Sequence, residues 1–214
     1  MSVIAPAVLS DSPENYKTQL EQIHTFAKRV HIDLSDGTFA PTTTVNVSQI
    51  WWPQDWLIDI HAMVANPTQY LDTLISLKPH MILFHAEVQE DLVPIFQHIK
   101  QYDIKAGIAV MRTTVPSTIA GALEAADHAM IFSGDLGKFG GTASLMQLEK
   151  IRLIKSINSS LEIGWDGGVT VENAYSLAQG GVDVLNVGGS IQKAADPQAA
   201  YATLVNEINK QGVI

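Results

Sequence analysis

Eight short apolar runs, separated by amphipathic segments, constrain the fold of this chain more than any other feature of its sequence. Most of these runs are apolar on both faces, which is typical of parallel strands that helices cover. Eight strands, each followed by a helix or a loop, predict a (β/α)₈ barrel, with an open doubly wound sheet as the alternative. The runs are Val3–Leu9, Arg29–Leu34, Leu57–His61, Met81–Phe84, Lys105–Val110, His128–Phe132, Leu161–Trp165 and Val182–Val187.

Helix-like segments lie between the runs. Ser12 is expected to cap the first helix, which has Pro13 at its first position and is predicted to reach about Lys28. The segment between the second and third strands, about 44–52, has a weaker pattern and predicts only a short helix. Further helices are predicted from Asn66 toward Leu77 and over Gln89–Tyr102, Val115–Ala125, Ala143–Ser156, Val171–Gln179 and Pro197–Lys210.

Length and composition fit one barrel domain over residues 1–214, with a large core, since 46% of the residues are hydrophobic and 16% are charged. Val3–Leu9 lacks a basic flank and is too short for a signal peptide, and no apolar run reaches the roughly 18 residues of a membrane helix. We therefore expect a cytoplasmic protein that does not bind membranes. The chain has no cysteine, which excludes disulfides, thiolate metal sites and cysteine nucleophiles. A net charge of −9 without a basic cluster argues against a nucleic-acid partner.

Polar side chains end three of the apolar runs. Apolar and polar residues alternate over 30–34, so His31 and Asp33 share one face of a strand, roughly 6–7 Å apart. His61 ends the third run, and Asp166 directly follows the seventh. In a (β/α)₈ barrel the carboxyl ends of the strands meet at one face, where active sites lie. Two imidazoles and two carboxylates that meet there suit one divalent metal ion.

Glycine pairs mark the loops after the last three strands. Small residues expose backbone N–H groups, and phosphate sites in such barrels often use the loops after the last strands. We therefore expect phosphate to bind at Gly140 and Gly141, at Gly167 and Gly168, and at Gly188 and Gly189.

Other polar and aromatic residues are less specific. His85, which follows the fourth run, is interpreted either as a site residue or as a solvated loop residue. Trp51, Trp52 and Trp56 are expected to serve packing or a subunit contact rather than base stacking.

Taken together and in order, these motifs resemble those of the ribulose-phosphate 3-epimerase family over nearly the whole chain. The resemblance implies a barrel that acts on a ketose phosphate, and it implies a homo-oligomer. It implies one divalent metal ion, with zinc expected first and iron, manganese or cobalt as alternatives. It rests on Pro6–Ser10, His31–Asp33 with Asp36, Gly37, Phe39 and Pro41, Asp59–Met63, Phe139–Gly141, Asp166–Gly168 and Gly188.

The same resemblance assigns roles to residues. The metal ligands would be His31, Asp33, His61 and Asp166. Asp33 and Asp166 would also be the acid–base pair, and Met63 and Ala7 would line the substrate site.

Several positions depart from the family pattern around the expected pocket. They leave the metal ligands and the acid–base pair intact, so they bear on substrate identity and rate rather than on the type of reaction. A serine of the family is Ala7, a methionine is Ser35, a histidine is Thr38, an asparagine is Thr42 and a glycine is Lys138.

The predicted reaction is inversion of the carbon next to the carbonyl, with D-ribulose 5-phosphate converted to D-xylulose 5-phosphate through an enediolate and without an organic cofactor. The first alternative is an epimerase for a hexulose phosphate such as allulose 6-phosphate. The second is a relative that binds a phosphosugar without turning it over, which Ala7, Ser35 and Thr38 favour. A third is a phosphate-binding barrel of different chemistry, such as a decarboxylase or an indole-forming enzyme, against which the set of metal ligands argues.

Overall fold

A computed structural model describes residues 2–210 and contains a closed barrel of eight parallel strands. The strands are β1 (Val3–Val8), β2 (Arg29–Ser35), β3 (Leu57–Met63), β4 (Met81–His85), β5 (Lys105–Met111), β6 (His128–Phe132), β7 (Glu162–Asp166) and β8 (Val184–Val187). Each strand pairs with the next along the chain, and β8 pairs with β1 to close the ring. The predicted (β/α)₈ barrel is therefore confirmed, and the open doubly wound sheet is excluded.

Helices follow the strands and cover the outside of the barrel. In the described part of the chain, none of them is long and apolar enough to cross a membrane. They are α1 (Pro13–Ile23), α2 (Pro67–Ser76), α3 (Leu92–Lys100), α4 (Ala120–Ala125), α5 (Glu149–Ile157), α6 (Val171–Gln179), α7 (Gly189–Gln192) and α8 (Pro197–Ile208).

The helix boundaries differ from the predicted ones for local reasons. Helix α1 ends at Ile23 rather than near Lys28, because the amides of Phe26 and Ala27 both donate to the Ile23 carbonyl oxygen and close a turn. Helices α4 and α5 begin later than predicted, because each follows a 3₁₀ turn. Helix α3 begins at Leu92, where the Asp91 side chain accepts a hydrogen bond from a first-turn amide. The short α7 lies outside every predicted segment.

The segment after β2 contains only a short 3₁₀ helix, Val47–Gln49, as the weak pattern over 44–52 predicts. Trp56 is buried in the core, whereas Trp51 is half exposed. The Tyr16 hydroxyl donates to the Trp51 carbonyl oxygen at 2.8 Å, which ties this segment to α1. The expected packing role therefore holds for Trp56, while Trp51 keeps an exposed face.

An apolar cluster lies inside the barrel on the side of β4, β5 and β6. Along each strand, side chains point alternately into the barrel and toward the helices. Inward side chains of these three strands form a cluster that is separate from the main core, where strand and helix side chains pack. The cluster consists of Met81, Leu83, Ala109, Met130 and Phe132. On the side of β2 and β3, by contrast, the charged Asp59 is the register partner of His31.

Ion pairs close the amino end of the barrel. Arg29 donates to Asp59 at 2.6 Å and makes two hydrogen bonds to Glu162 at 2.9 and 2.7 Å. His128 Nδ1 lies 2.8 Å from the same Glu162 carboxylate. Burial opposes ionisation of Glu162, but its contacts with Arg29 and His128 outweigh burial and hold the pKa of this carboxyl well below its usual range. None of the predicted site residues belongs to this network.

Candidate active site and metal centre

Four polar side chains meet at the carboxyl end of the barrel. One ligand atom from each of His31, Asp33, His61 and Asp166 lies within 4.8 Å of the others. The register of β2 and β3 sets Asp33 directly beside His61, and Asp166 is the last residue of β7. The strand period predicts that His31 and Asp33 share a face, and the structure brings both side chains into this cluster.

The donor atoms of the cluster fit one cation. Asp33 Oδ1 lies 2.9 Å from His61 Nδ1 and 3.2 Å from His31 Nε2. Asp166 Oδ2 lies 3.9 Å from His61 Nδ1 and 3.8 Å from His31 Nε2. Two atoms that each bind one zinc ion at about 2.0–2.2 Å are separated by at most about 4.4 Å. These four nitrogen–oxygen distances satisfy that limit, and the mixed nitrogen and oxygen donors suit a divalent metal.

The two carboxyl groups differ in their affinity for a proton. Burial opposes ionisation of Asp33, but His31 and His61 outweigh it and hold the pKa of Asp33 well below its usual range. Burial raises the pKa of Asp166, and the neighbouring Asp33 charge raises it further. Surroundings that move two carboxyl pKa values apart are typical of an acid–base pair.

His85 lies against the cluster and is not a solvated loop residue. Its side chain is fully buried, and its Nε2 lies 2.8 Å from His61 Nε2. Burial lowers the pKa of His85 to about 4. On its far side, His85 Nδ1 lies 3.2 Å from Glu87 Oε2. Glu87 is not among the predicted site residues, because an acidic residue after a strand usually lies in solvent.

A cavity joins the carboxylates to the glycine loops. Its wall includes Asp33, Asp166, Ala7 and Met63, together with five of the six predicted glycines. Those glycines are Gly140, Gly167, Gly168, Gly188 and Gly189. The predicted acid–base and phosphate-binding residues therefore face a common space.

Gly141 lies behind this wall, where a Cβ on it would be 3.0 Å from Gly134 Cα. The amide of Gly168 donates to the Gly140 carbonyl oxygen at 3.1 Å, so the loops after β6 and β7 are joined beside the cavity. A Cβ on Gly188 would be 2.4 Å from Phe139 Cδ1, so the Phe139 ring lies against the loop after β8. The three glycine loops are therefore in mutual contact.

Asn186 also lines this cavity, although it is not among the predicted site residues. It lies beside Asp166 in the register of β7 and β8 and is buried. Its Nδ2 lies 3.1 Å from Met130 Sδ, and its Oδ1 has no hydrogen-bond partner among residues 2–210. Its position inside an otherwise apolar run, Val184–Val187, was the only available signal.

A sequence model of the family described as "Ribulose-phosphate 3 epimerase family" matches residues 3–192, which include the His/Asp cluster and all three glycine loops. The chain belongs to this family. It is therefore an isomerase of the epimerase type, as the motifs of the sequence predict.

Named members of the ribulose-phosphate 3 epimerase family match along nearly the whole chain. A ribulose-phosphate 3-epimerase of Helicobacter pylori is 32% identical over 214 residues, covering 95% of this chain and 96% of the relative. One of Aquifex aeolicus is 30% identical and covers 93% of both chains. A chloroplastic ribulose-5-phosphate-3-epimerase of Arabidopsis thaliana is 28% identical and covers 91% of this chain and 73% of the relative.

Solved structures of other phosphosugar enzymes share the fold of the family. The 3-hexulose-6-phosphate synthase of Salmonella typhimurium has a TM-score of 0.72 at 13% identity, covering 96% of this chain and 98% of that one. The 3-keto-L-gulonate-6-phosphate decarboxylase of Vibrio cholerae has a TM-score of 0.73 at 11% identity and covers 97% of both chains. At such low identity these likenesses show the fold alone.

Only some departures from the family pattern reach the cavity. Ala7 and Lys138 contribute to its wall. The Ser35 hydroxyl instead donates to the Thr42 carbonyl oxygen at 2.6 Å, and the Thr42 hydroxyl donates to the Gly137 carbonyl oxygen at 2.9 Å. Thr38 is exposed in the turn after β2. Ser35, Thr38 and Thr42 thus shape the loops around the site, whereas Ala7 and Lys138 are positioned to touch a ligand.

Proposed function

We propose that this protein is a metal-dependent epimerase that interconverts D-ribulose 5-phosphate and D-xylulose 5-phosphate. The observation that carries the proposal is the pair Asp33 and Asp166. The two carboxyl groups have oppositely shifted pKa values, lie against two histidines and share one cavity with the glycine loops. The names of the relatives in Helicobacter pylori and Aquifex aeolicus support the choice of substrate.

A divalent cation fits this site, with zinc as the first choice and iron, manganese or cobalt as alternatives. Bound there, it would supply a Lewis acid that stabilises negative charge developing on the carbonyl oxygen of the sugar. The ligands would be His31, Asp33, His61 and Asp166.

The two carboxyl groups then divide the proton transfers. Asp33, the carboxyl group with the lowered pKa, removes the proton from the carbon beside the carbonyl and leaves a planar enediolate. Asp166, whose pKa is raised by burial, returns a proton to the opposite face. Because β2 and β7 are separated by β8 and β1 in the ring, the two side chains approach the cavity from different directions. Delivery from two directions is what inversion requires.

The glycine loops would bind the phosphate group of the substrate. Backbone N–H groups of Gly167, Gly188 and Gly189 would bind its oxygens, and Lys138 in the same wall brings a positive charge. The Gly168 amide is already bonded to Gly140, so it reaches phosphate only if the loop after β6 shifts.

Solvent-deuterium incorporation tests the reaction. Purified protein loaded with Zn²⁺ should exchange one carbon-bound proton of D-ribulose 5-phosphate and form D-xylulose 5-phosphate, and the chelator-treated protein should do neither. A panel of pentulose and hexulose phosphates separates the alternatives, and the missing hydroxyl at Ala7 makes the hexulose series worth including. Binding without exchange on any sugar would identify a phosphosugar-binding relative and contradict the proposal.

We also propose that the protein is a cytoplasmic homo-oligomer without a nucleic-acid or membrane partner. The net charge of −9 supports the exclusion of nucleic acid. Sedimentation velocity of the purified protein tests the oligomer, and fractionation of the source cells tests the location.

A further inference from the structure

A line of polar contacts leads away from the metal cluster into the wall of the barrel. It begins at His61, whose Nδ1 faces Asp33 and whose Nε2 lies 2.8 Å from His85 Nε2. It continues from His85 Nδ1 to Glu87 Oε2 at 3.2 Å. Both imidazoles are fully buried, so water does not compete for these nitrogens.

The far end of this line is firmly held. The second oxygen of Glu87 accepts hydrogen bonds from the Met111 amide and the Thr114 hydroxyl. The Lys150 ammonium group in turn donates to the carbonyl oxygens of Met111, Arg112 and Thr114. The turn after β5 is therefore fixed from two sides, and Glu87 is fixed with it.

Aromatic rings hold the middle of the line. The ring of Phe39 lies 4.7 Å and the ring of Phe132 lies 5.5 Å from the His85 ring, measured between centroids. Rotation of the His85 ring out of its plane would collide with these neighbours. The two nitrogens of His85 thus stay directed at His61 and Glu87.

Elementary hydrogen-bond chemistry then determines where the protons are. Two Nε2 atoms at 2.8 Å share a single proton, because two N–H groups cannot face each other. A histidine that binds a metal through Nδ1 has no proton there, so neutral His61 carries its proton on Nε2. His85 must accept that proton at its own Nε2 and therefore carries its proton on Nδ1. The Glu87 carboxylate, which only accepts, is the partner that this arrangement needs.

We propose that His85 and Glu87 are positioning residues that hold His61 in the tautomer whose Nδ1 lone pair faces the metal. This inference rests on the proposed metal centre, and it gives a role to two residues that touch neither the metal nor the substrate. Carboxylate and imidazole partners behind a metal ligand commonly act in this way, by selecting the tautomer and the ring orientation.

The line of contacts from His61 through His85 to Glu87 is called the relay. The variant Glu87→Gln tests the relay at its far end. Its amide oxygen must face the Met111 N–H, which directs the NH₂ group at His85 Nδ1. His85 then accepts at Nδ1, carries its proton on Nε2 and places that proton against His61. His61 must then carry its proton on Nδ1, where it prevents that nitrogen from binding the metal. We expect the affinity for Zn²⁺, measured by chelator competition, to fall by about 10–100-fold.

Glu90→Gln is the matched control, since Glu90 lies in the same loop and its carboxylate bonds to Thr68 rather than to His85. It should bind Zn²⁺ as the parent does. At saturating Zn²⁺, the kcat of Glu87→Gln should recover more fully than its metal affinity. Equal Zn²⁺ affinity of Glu87→Gln and the parent would overturn the relay while leaving the proposed reaction intact.

A second measurement needs no variant. Nitrogen-15 NMR of the histidine rings in the Zn²⁺-loaded parent should show protons on His61 Nε2 and His85 Nδ1. A proton on His85 Nε2 would refute the relay, whatever the behaviour of the variants. Failure of the parent itself to bind Zn²⁺ would remove the metal centre, and both proposals would fall at that first step.

Discussion

Asp166→Asn separates the two carboxyl groups of the site with little damage to the fold. The substitution keeps the shape of the side chain and removes its ability to take and give a proton. Asp33 lies within hydrogen-bond distance of both histidines, at 2.9 and 3.2 Å, so replacing it would also disturb their orientation. Asp166 lies 3.8 and 3.9 Å from the same nitrogens, beyond a hydrogen bond. Asp166→Asn is therefore the cleaner perturbation.

The size of each effect follows from this geometry. Loss of a general acid or base lowers the rate by about 10²–10⁴-fold, which corresponds to about 2.7–5.4 kcal/mol in the activation free energy. Burial raises the pKa of Asp166, so the native site does not favour its charge and loses little when that charge is removed. We expect the free energy of unfolding to change by less than about 1 kcal/mol, as for substitutions that break no buried contact.

The assay measures two quantities with Zn²⁺ at saturation. Epimerisation of D-ribulose 5-phosphate should fall at least about 100-fold, whereas deuterium exchange should survive on the epimer whose proton Asp33 removes. Asp72→Asn, on the outer face of α2, is the control and should match the parent in both, since its side chain is 97% exposed. Epimerisation at the parent rate, or equal loss of exchange from both epimers in a folded and metal-loaded protein, would refute the division of roles between Asp33 and Asp166.

Three further predictions concern the phosphate, the substrate and the amino end of the barrel. Gly189→Asp should weaken phosphosugar binding without changing metal content. Gly189→Ala should bind the phosphosugar as the parent does, because a Cβ there meets only Phe139 at 3.9 Å. Unchanged affinity of Gly189→Asp in a titration would place the phosphate elsewhere. Ala7→Ser should raise kcat/KM on D-ribulose 5-phosphate by about tenfold, the effect of one buried hydrogen bond of about 1.4 kcal/mol; a folded variant without gain would contradict this. Glu162→Gln should lower the free energy of unfolding by about 2 kcal/mol at pH 7, the scale of a lost hydrogen bond to a charged group, since it leaves Arg29 with one carboxylate partner. Because the pKa of Glu162 is lowered in the folded state, its carboxylate stabilises the fold fully above the unfolded pKa of about 4.3 and progressively less as the pH falls below it. The difference in Tm between the parent and the variant should therefore narrow below about pH 4.3. A difference that stays constant would exclude this ion pair as its cause.

The barrel and the cluster of two histidines and two carboxylates could be predicted because both depend on periodicity. Apolar runs of strand length reveal the eight strands, and a polar residue at the end of such a run must face the shared carboxyl end of the barrel. His61 and Asp166 meet this condition, and the alternation over 30–34 places His31 and Asp33 on one face of their strand. The ends of helices α1, α4 and α5 could not be predicted as well, because turn hydrogen bonds decide them.

The surroundings of the site depend on contacts that periodicity does not contain. Glu87 matters only because the turn after β5 presents an amide and a hydroxyl to it. Ser35 occupies a position where the family pattern suggests a change in the pocket, yet its hydroxyl bonds to a carbonyl oxygen of its own loop. Such loop geometry becomes visible only when the distant segments are placed together.

The apolar cluster of Met81, Leu83, Ala109, Met130 and Phe132 screens the two ends of the barrel from each other on one side only. On the other side, Asp59 of the amino-end network is the register partner of His31. Burial lowers the pKa of His31, but nearby carboxylates, Asp59 among them, outweigh burial and raise it. A charge altered among Arg29, Asp59 and Glu162 therefore acts on His31 without any hydrogen bond to it, and a substitution made there for thermal stability also changes the electrostatics of the candidate metal site.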